Sequence, residues 1–332
     1  MVTSYSKWNA KLTAFDGNDR ILADTSAELL RGGPGGVADG AVFSLGAVTL
    51  TCIHTPGHTP ESVSFVLTDQ GDGSGIRIRG VKKRFGDLVV LDGAELDVPR
   101  GQARVILGRS GQGKSVIIKH MLGLVRPDRG EVKVFGRDMN RLNRKEKDDV
   151  RENFGVLFQN AALFDSLNVF DNVALPLRER TRWTEDEVRD GVMEKLGLMG
   201  LQEAIDKFPA QLSGGMRKRV GLARALMLQP KIVFFDEPTT GLDAHKSNEL
   251  YRLFYRTQQQ LGYTAVIVSH DVPKIFKLAD EVALLAEGRI QGCMSPEDFQ
   301  LSEQPTIRAF VEETMGHLYS SDQEENSFYA QV

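Results

Sequence analysis

GRSGQGKS, at residues 108–115, follows the apolar run ARVIL and leads into a helical segment from Lys114. Strand, glycine-rich loop and helix in that order mark a phosphate-binding loop in an α/β sheet. The glycines let successive backbone N–H groups curl inward as an anion-binding nest, and the helix N-terminus adds the positive end of its dipole. Lys114 is placed to reach the β and γ phosphates of a nucleoside triphosphate, and the Ser115 hydroxyl to ligate Mg²⁺. A glycine-rich turn beside a surface lysine is the plainer alternative, but it needs neither the strand before nor the helix after. Gly108, Arg109, Ser110, Gly111, Gln112, Gly113, Lys114 and Ser115 are therefore the candidate nucleotide contacts.

KIVFFDEP, residues 231–238, is a continuous apolar run suited to a strand buried on both faces, with two carboxylates at its C-terminal end. Asp236 is placed to hold Mg²⁺ through water, and Glu237 to polarise the attacking water as general base. By itself an Asp-Glu pair after a strand is more often a helix N-cap, so this pair takes its meaning from the loop at Gly108. Around both motifs, ARVILG, VKVFG, FGVLFQ, TAVIVSH and EVALLAEG alternate with longer amphipathic stretches, among them 184–201 and 245–261. Such alternation predicts a mainly parallel sheet covered by helices.

LSGGM, residues 212–216, leads into RKRVGLARALML, which predicts a helix whose first turn points free N–H groups at an anion. A chain with one phosphate loop has no need of a second. In this order, GRSGQGKS, Gln159, LSGGM and KIVFFDEP resemble the nucleotide-binding subunit of ABC transporters over residues 76–292. The resemblance implies an α/β fold of the P-loop NTPase ABC type, with a mainly parallel sheet core, an antiparallel β part and a helical subdomain. It implies ATP hydrolysis with ATP and Mg²⁺ as cofactors. It also implies a head-to-tail dimer, in which Leu212, Ser213, Gly214, Gly215 and Met216 of one copy close on ATP held by the other. Gln159 then touches Mg²⁺ and faces the permease, Asp243 ends the D-loop that meets the other copy, His270 is the switch histidine, and Phe85 stacks on adenine. Read without the resemblance, His270 is a strand-end histidine and Phe85 a core aromatic. The implied catalytic set is Glu237, His270 and Gln159, and the implied Mg²⁺ set is Ser115, Gln159 and Asp236.

FGVLFQNAALFDSLNVFDNVALPLRERT, residues 154–181, together with the long forms LSGGMRKRVGLARAL and GRSGQGKSVIIKHMLGL, resembles the Mla-type ATPases that serve MCE-protein lipid transporters. This implies phospholipid cargo moved across the bacterial envelope. The implied partners are an integral-membrane permease, an MCE-type substrate-binding protein and a small regulatory subunit. For any one residue of that stretch, core of the helical subdomain is the competing reading. Another transported substrate, or a soluble non-transport role, is the alternative; the single cassette and short helical insert weigh against the soluble role.

The chain has 332 residues, 41% hydrophobic and 26% charged, an ordinary globular composition. A net charge of -4 gives no overall attraction to nucleic acid, and none is expected as a partner. Cys52 and Cys293 are too few for a disulfide framework or thiolate zinc site. No segment approaches the roughly 18–20 apolar residues that span a bilayer, so a cytoplasmic protein peripheral on the inner face of the inner membrane is expected.

TDQGDGSG, residues 68–75, reads as a linker. The expected domains are 1–75, 76–300 and a helical tail at 301–332. In the first, AVFSLGAVTLTCI and SVSFVL read as strands and 22–31 as a helix candidate. IHTPGHTPESVSFVLTD, residues 53–69, resembles a strand-loop-strand of metallo-β-lactamase-fold hydrolases, with His58 matching a zinc ligand. The six histidines include no HxHxDH cluster, so a non-catalytic, vestigial or fused fragment without zinc is expected. In the tail, Ile307, Phe310, Val311, Met315 and Leu318 have helical spacing that suits a partner contact.

Overall fold

The computed structural model describes residues 74–316 and, before them, the backbone of five strands. The chain divides into two compact units, Met1–Gly73 and Ser74–Val332. In the first, β1 (Lys7–Phe15) pairs antiparallel with β2 (Ile21–Leu30), while β3 (Val42–Leu45), β4 (Val48–His54) and β5 (Val63–Asp69) form a three-stranded antiparallel sheet. The strands expected at 41–53 and 62–67 fall on β3, β4 and β5. The helix candidate at 22–31 is overturned: its residues 22–30 lie in β2, registered residue by residue from Lys7↔Leu30 to Thr13↔Asp24. A ladder of this kind outweighs a helical propensity worth only tenths of a kcal/mol per residue. His58 and the zinc question attached to it lie outside the described residues, as does Leu318.

The second unit carries two sheets. A parallel sheet runs β11-β12-β13-β8-β14, with β15 antiparallel at its edge. Its strands are β8 (Ala103–Leu107), β11 (Phe154–Leu157), β12 (Ile232–Asp236), β13 (Thr264–Val268), β14 (Glu281–Ala286) and β15 (Arg289–Met294). An antiparallel sheet orders β10 (Arg137–Asp138), β9 (Arg129–Val134), β6 (Ser74–Phe85) and β7 (Leu88–Pro99).

The alternation of strand side chains sorts the core into two layers. Ile232 and Phe234 of β12, with Ile106 and Val268, pack toward the antiparallel sheet and α1 (Lys114–Met121). Val233 and Phe235, with Val105, Leu107 and Ile267, pack toward the helices on the other face. Each fully buried phenylalanine contributes about 1.5–3 kcal/mol. Those helices include α3 (Val169–Arg180), α4 (Glu185–Met199), α5 (Gly214–Leu226) and α6 (Ala244–Leu261). Two shorter helices are α2 (Arg144–Arg151) and α7 (Pro296–Gln300). Helix α4 starts at a Thr184–Glu187 capping box and stops at left-handed Gly200. At the tail, α8 (Pro305–Met315) buries Ile307, Phe310, Val311 and Met315 in the same core, so its apolar stripe is covered within the chain. No helix among the described residues is long and apolar enough to cross a membrane.

The segment between β11 and α3 is irregular and is held by side chains. Asn172, fully buried, donates from Nδ2 to the carbonyls of Phe164, Leu167 and Asn168 at 3.0 Å each, and its Oδ1 accepts from the Phe164 N–H at 2.9 Å. Arg224 of α5 donates to the carbonyls of Ala161 and Ala162 at 2.8 Å. The Phe164 and Asn168 carbonyls also accept main-chain N–H bonds, so replacing Asn172 by Ala strands the Leu167 carbonyl and the Phe164 N–H and should cost about 2–4 kcal/mol in denaturant unfolding, above the usual single-mutant value.

Candidate active site

Parallel pairing brings the C-terminal ends of β8, β12 and β13 to one edge of the sheet, and the loops that leave them build the site. After β8 the chain turns through residues 108–113 before α1 begins. Gly113 has φ +94°, and a Cβ there would meet the Val90 side chain at 2.6 Å; at Gly108 it would meet the Leu285 carbonyl at 2.5 Å. Only glycine fits either position.

Lys114 starts α1, and its side chain folds back over the loop. The ammonium donates to the carbonyls of Gly108 at 2.8 Å and Arg109 at 3.1 Å, and lies 3.4 Å from Glu237 Oε1. Ser115 Oγ donates to Asp236 Oδ1 at 3.0 Å. Burial pushes the Asp236 carboxyl up, the Ser115 hydrogen bond opposes this, and the neighbouring Glu237 charge reinforces it. Glu237 leaves the strand with φ +49°, the left-handed region that a non-glycine residue adopts at a cost of about 1–3 kcal/mol. Its N–H still donates to the Val268 carbonyl at 2.9 Å. The kink turns the carboxylate toward His270, whose Nδ1 lies 2.5 Å from Glu237 Oε2.

A cleft of about 550 Å³ is lined by Phe85, Val90, Ser110, Gly111, Gly113, Lys114, Ser115, Val116, Gln159, Glu237 and His270. Phe85, at the β6–β7 hairpin, is 49% exposed, unlike a core aromatic. The donor set for a divalent cation is all oxygen: the Ser115 hydroxyl, the Asp236 carboxylate behind it and the Gln159 side chain at the cleft wall. Such a set with one carboxylate suits Mg²⁺, which keeps waters and takes substrate phosphates as its other ligands.

Two of the loop residues turn away from the cleft. Arg109 pairs with Glu313 of α8, Nε donating at 2.9 Å, and Gln112 Oε1 accepts from the Glu287 N–H at 3.2 Å. Both border a separate cavity of about 260 Å³ against Phe310. The expected signature residues also lie outside the cleft. Ser213 caps α5 by accepting from the Met216 N–H at 3.2 Å, Gly214 and Gly215 form its first turn, and Leu212 is buried. Asp243 caps α6, accepting from the Lys246 N–H at 2.9 Å.

A profile of the ABC transporter family matches residues 91–240. The "Probable ribonucleotide transport ATP-binding protein mkl" of Mycobacterium leprae is 41% identical over 260 residues, 78% of this chain and 75% of that protein. The chain belongs to the ABC transporter ATP-binding family. The "Intermembrane phospholipid transport system ATP-binding protein MlaF" of Escherichia coli K12 is 38% identical over 237 residues, 71% of this chain and 88% of that one. Among solved structures, a dimeric post-hydrolysis state of the ATP-binding cassette MJ0796 bound to ADP and Pi aligns at TM-score 0.62 and 29% identity, covering 67% of this chain and 98% of that one. The cbiO1 structure from Clostridium perfringens aligns at TM-score 0.65 and 29% identity, covering 74% and 98%. The chain is an ATP hydrolase of this family, with the expected P-loop fold.

As an ABC cassette the chain has one feature that motif reading passed over. Lys218 sits on the buried face of α5, donates to the Gln159 carbonyl, and lies 5% exposed in the field of Asp236 and Glu237. Burial pulls its ammonium down to about 8, against those two carboxylates. A lysine one helical turn before Leu222, on an apolar stripe, was the available signal. For the glycine-rich loop, Lys114→Ala should weaken ATP binding about tenfold or more in an equilibrium titration, since it removes the buried positive charge that the sequence reading places at the phosphates.

Proposed function

We propose that this chain powers phospholipid transport across a bacterial envelope, as a head-to-tail dimer beneath a separate permease and an MCE-type partner. The observation that carries the motor reading is the single cleft into which Lys114, Ser115, Gln159, Glu237 and His270 all open. In this reading Phe85 stacks on adenine, and residues 108–115 cradle the phosphates with backbone N–H groups. Mg²⁺, held by Ser115, Asp236 and Gln159, neutralises phosphate charge when bound. Glu237 accepts the proton of the attacking water, and His270 holds that carboxylate in place through Nδ1.

Leu212–Met216 lie outside their own cleft, at the start of α5, which is where a second copy's ATP would meet them. Asp243 stands at the start of α6, on the same dimer face in this reading. The segment after Gln159 supports a permease contact. Phe158 at 42% and Phe164 at 51% are exposed around it, on a loop fixed from behind by Asn172 and Arg224. Phospholipid as cargo rests on the MlaF relative and on the form of residues 154–181. Ribonucleotide is the cargo named for the mycobacterial relative and is the second reading. A place on the inner face of the membrane, and a small regulatory subunit, belong to the same proposal.

Two experiments test this. Glu237→Gln should keep ATP affinity while cutting turnover by about 10²-fold to 10⁴-fold, the usual worth of a positioned base. Equal loss of binding and turnover would remove the assigned role. Affinity purification from membranes should recover a multi-span permease and an MCE-type protein with bound phospholipid. Recovery of bound nucleotide cargo without lipid would favour the second reading, and a soluble complex would leave only the ATPase.

A further inference from the structure

The catalytic pair sits just beyond the point where the sheet stops holding the chain. Strands β12 and β13 are registered up to Asp236↔Val268, and the Glu237 N–H bond to the Val268 carbonyl is the last main-chain tie between them. His270 is two residues past that point, with a side chain 62% exposed. Packing therefore does not hold its ring in place, so its position depends on the residues either side of it.

Those residues are anchored by a buried polar cluster. The Tyr251 hydroxyl, from the second turn of α6, lies 2.8 Å from Thr239 Oγ1 and donates to Asp271 Oδ2 at 3.1 Å. Thr239 Oγ1 is itself 3.4 Å from that same carboxylate oxygen. The Asp271 N–H donates to Ser269 Oγ at 3.0 Å, and Lys274 Nζ is 3.6 Å from Asp271 Oδ1. Tyr251 is 3% exposed, Thr239 6% and Ser269 0%. Thr239 follows Glu237 by two residues, while Ser269 and Asp271 flank His270. One phenol thus joins the turn after the base to the loop carrying its histidine. It does so from the helix that Asp243 caps.

We propose that Tyr251 is a positioning residue which, through Thr239 and Asp271, locks the His270 loop to the Glu237 turn and so sets the contact between the two catalytic side chains. This rests on the catalytic roles proposed for Glu237 and His270. Misplacement of a reacting group by about 1 Å costs roughly 10²-fold in rate, so partial loosening of the lock has a large kinetic effect and little effect on ATP binding, which the loop at 108–115 provides.

A second tyrosine beside α6 separates positioning from plain stability. Tyr263 is 2% exposed, and its hydroxyl is 2.8 Å from Thr257 Oγ1 and 3.3 Å from the Phe254 carbonyl, in the same core and away from the cleft. Tyr251→Phe should lower kcat about tenfold at unchanged KM for ATP, and Tyr263→Phe should leave kcat within about twofold while lowering Tm comparably. Thr239→Val should reproduce the Tyr251→Phe phenotype, and carries the test if Tyr251→Phe does not fold. Wild-type kcat in Tyr251→Phe or Thr239→Val, or an equal kcat loss in Tyr263→Phe, would overturn the proposal. His270→Ala, measured alongside, separates the two levels. If it loses turnover while Tyr251→Phe does not, only the lock is wrong; if it keeps turnover, the catalytic roles themselves are wrong.

Discussion

A buried ammonium must be fully partnered, and the structure around Lys114 follows from that requirement. The side chain is 7% exposed and is met by the Gly108 and Arg109 carbonyls and by Glu237. The first two partners come from the loop after β8 and the third from the end of β12. The two strands are separated in the sheet by β13, so these distances hold only while three parallel strands end in register. Changes in the core would therefore reach the site through the sheet, with no residue of the loop altered.

The helical part of the second unit is coupled to this centre by charge as well as packing. Lys218 reaches from α5 to the Gln159 carbonyl and adds a positive charge near Asp236 and Glu237, and Arg224 of the same helix ties down the segment after Gln159. Helix α5 also begins at Ser213 and the two glycines. One rigid element therefore joins the surface that would meet a second copy, the segment that would meet a permease, and the chain's own carboxylates. Arg109 extends the coupling the other way, from the phosphate loop to Glu313 of α8.

Much of this was legible in the sequence because the decisive residues are contiguous. ARVILGRSGQGKS, KIVFFDEP and TAVIVSH each encode a strand end and the side chains that follow it, strand-helix alternation predicts the mainly parallel sheet, and the family resemblance supplies the place of His270 beside the other two. What escaped was non-local. Thr239, Tyr251 and Asp271 are ordinary residues that acquire a role only when α6 folds across two strand ends. Arg109 and Gln112 sit inside the motif but turn outward, because their partners Glu313 and Glu287 lie 204 and 175 residues further along the chain, beyond the reach of any local pattern. The strand at Ile21–Leu30 was hidden for the related reason that its pairing partner, and not its composition, fixes its conformation.

In the proposed head-to-tail dimer each ATP would be completed by residues of two copies, Lys114 from one and the Ser213 turn from the other, and complementation probes that requirement. A Lys114→Ala chain and a Ser213→Arg chain should each be inactive alone, yet their mixed dimer keeps one site with an intact loop facing an intact signature. Mixing the two should restore ATP hydrolysis. If mixed dimers demonstrably form and hydrolysis stays absent, ATP is not shared between copies in this way.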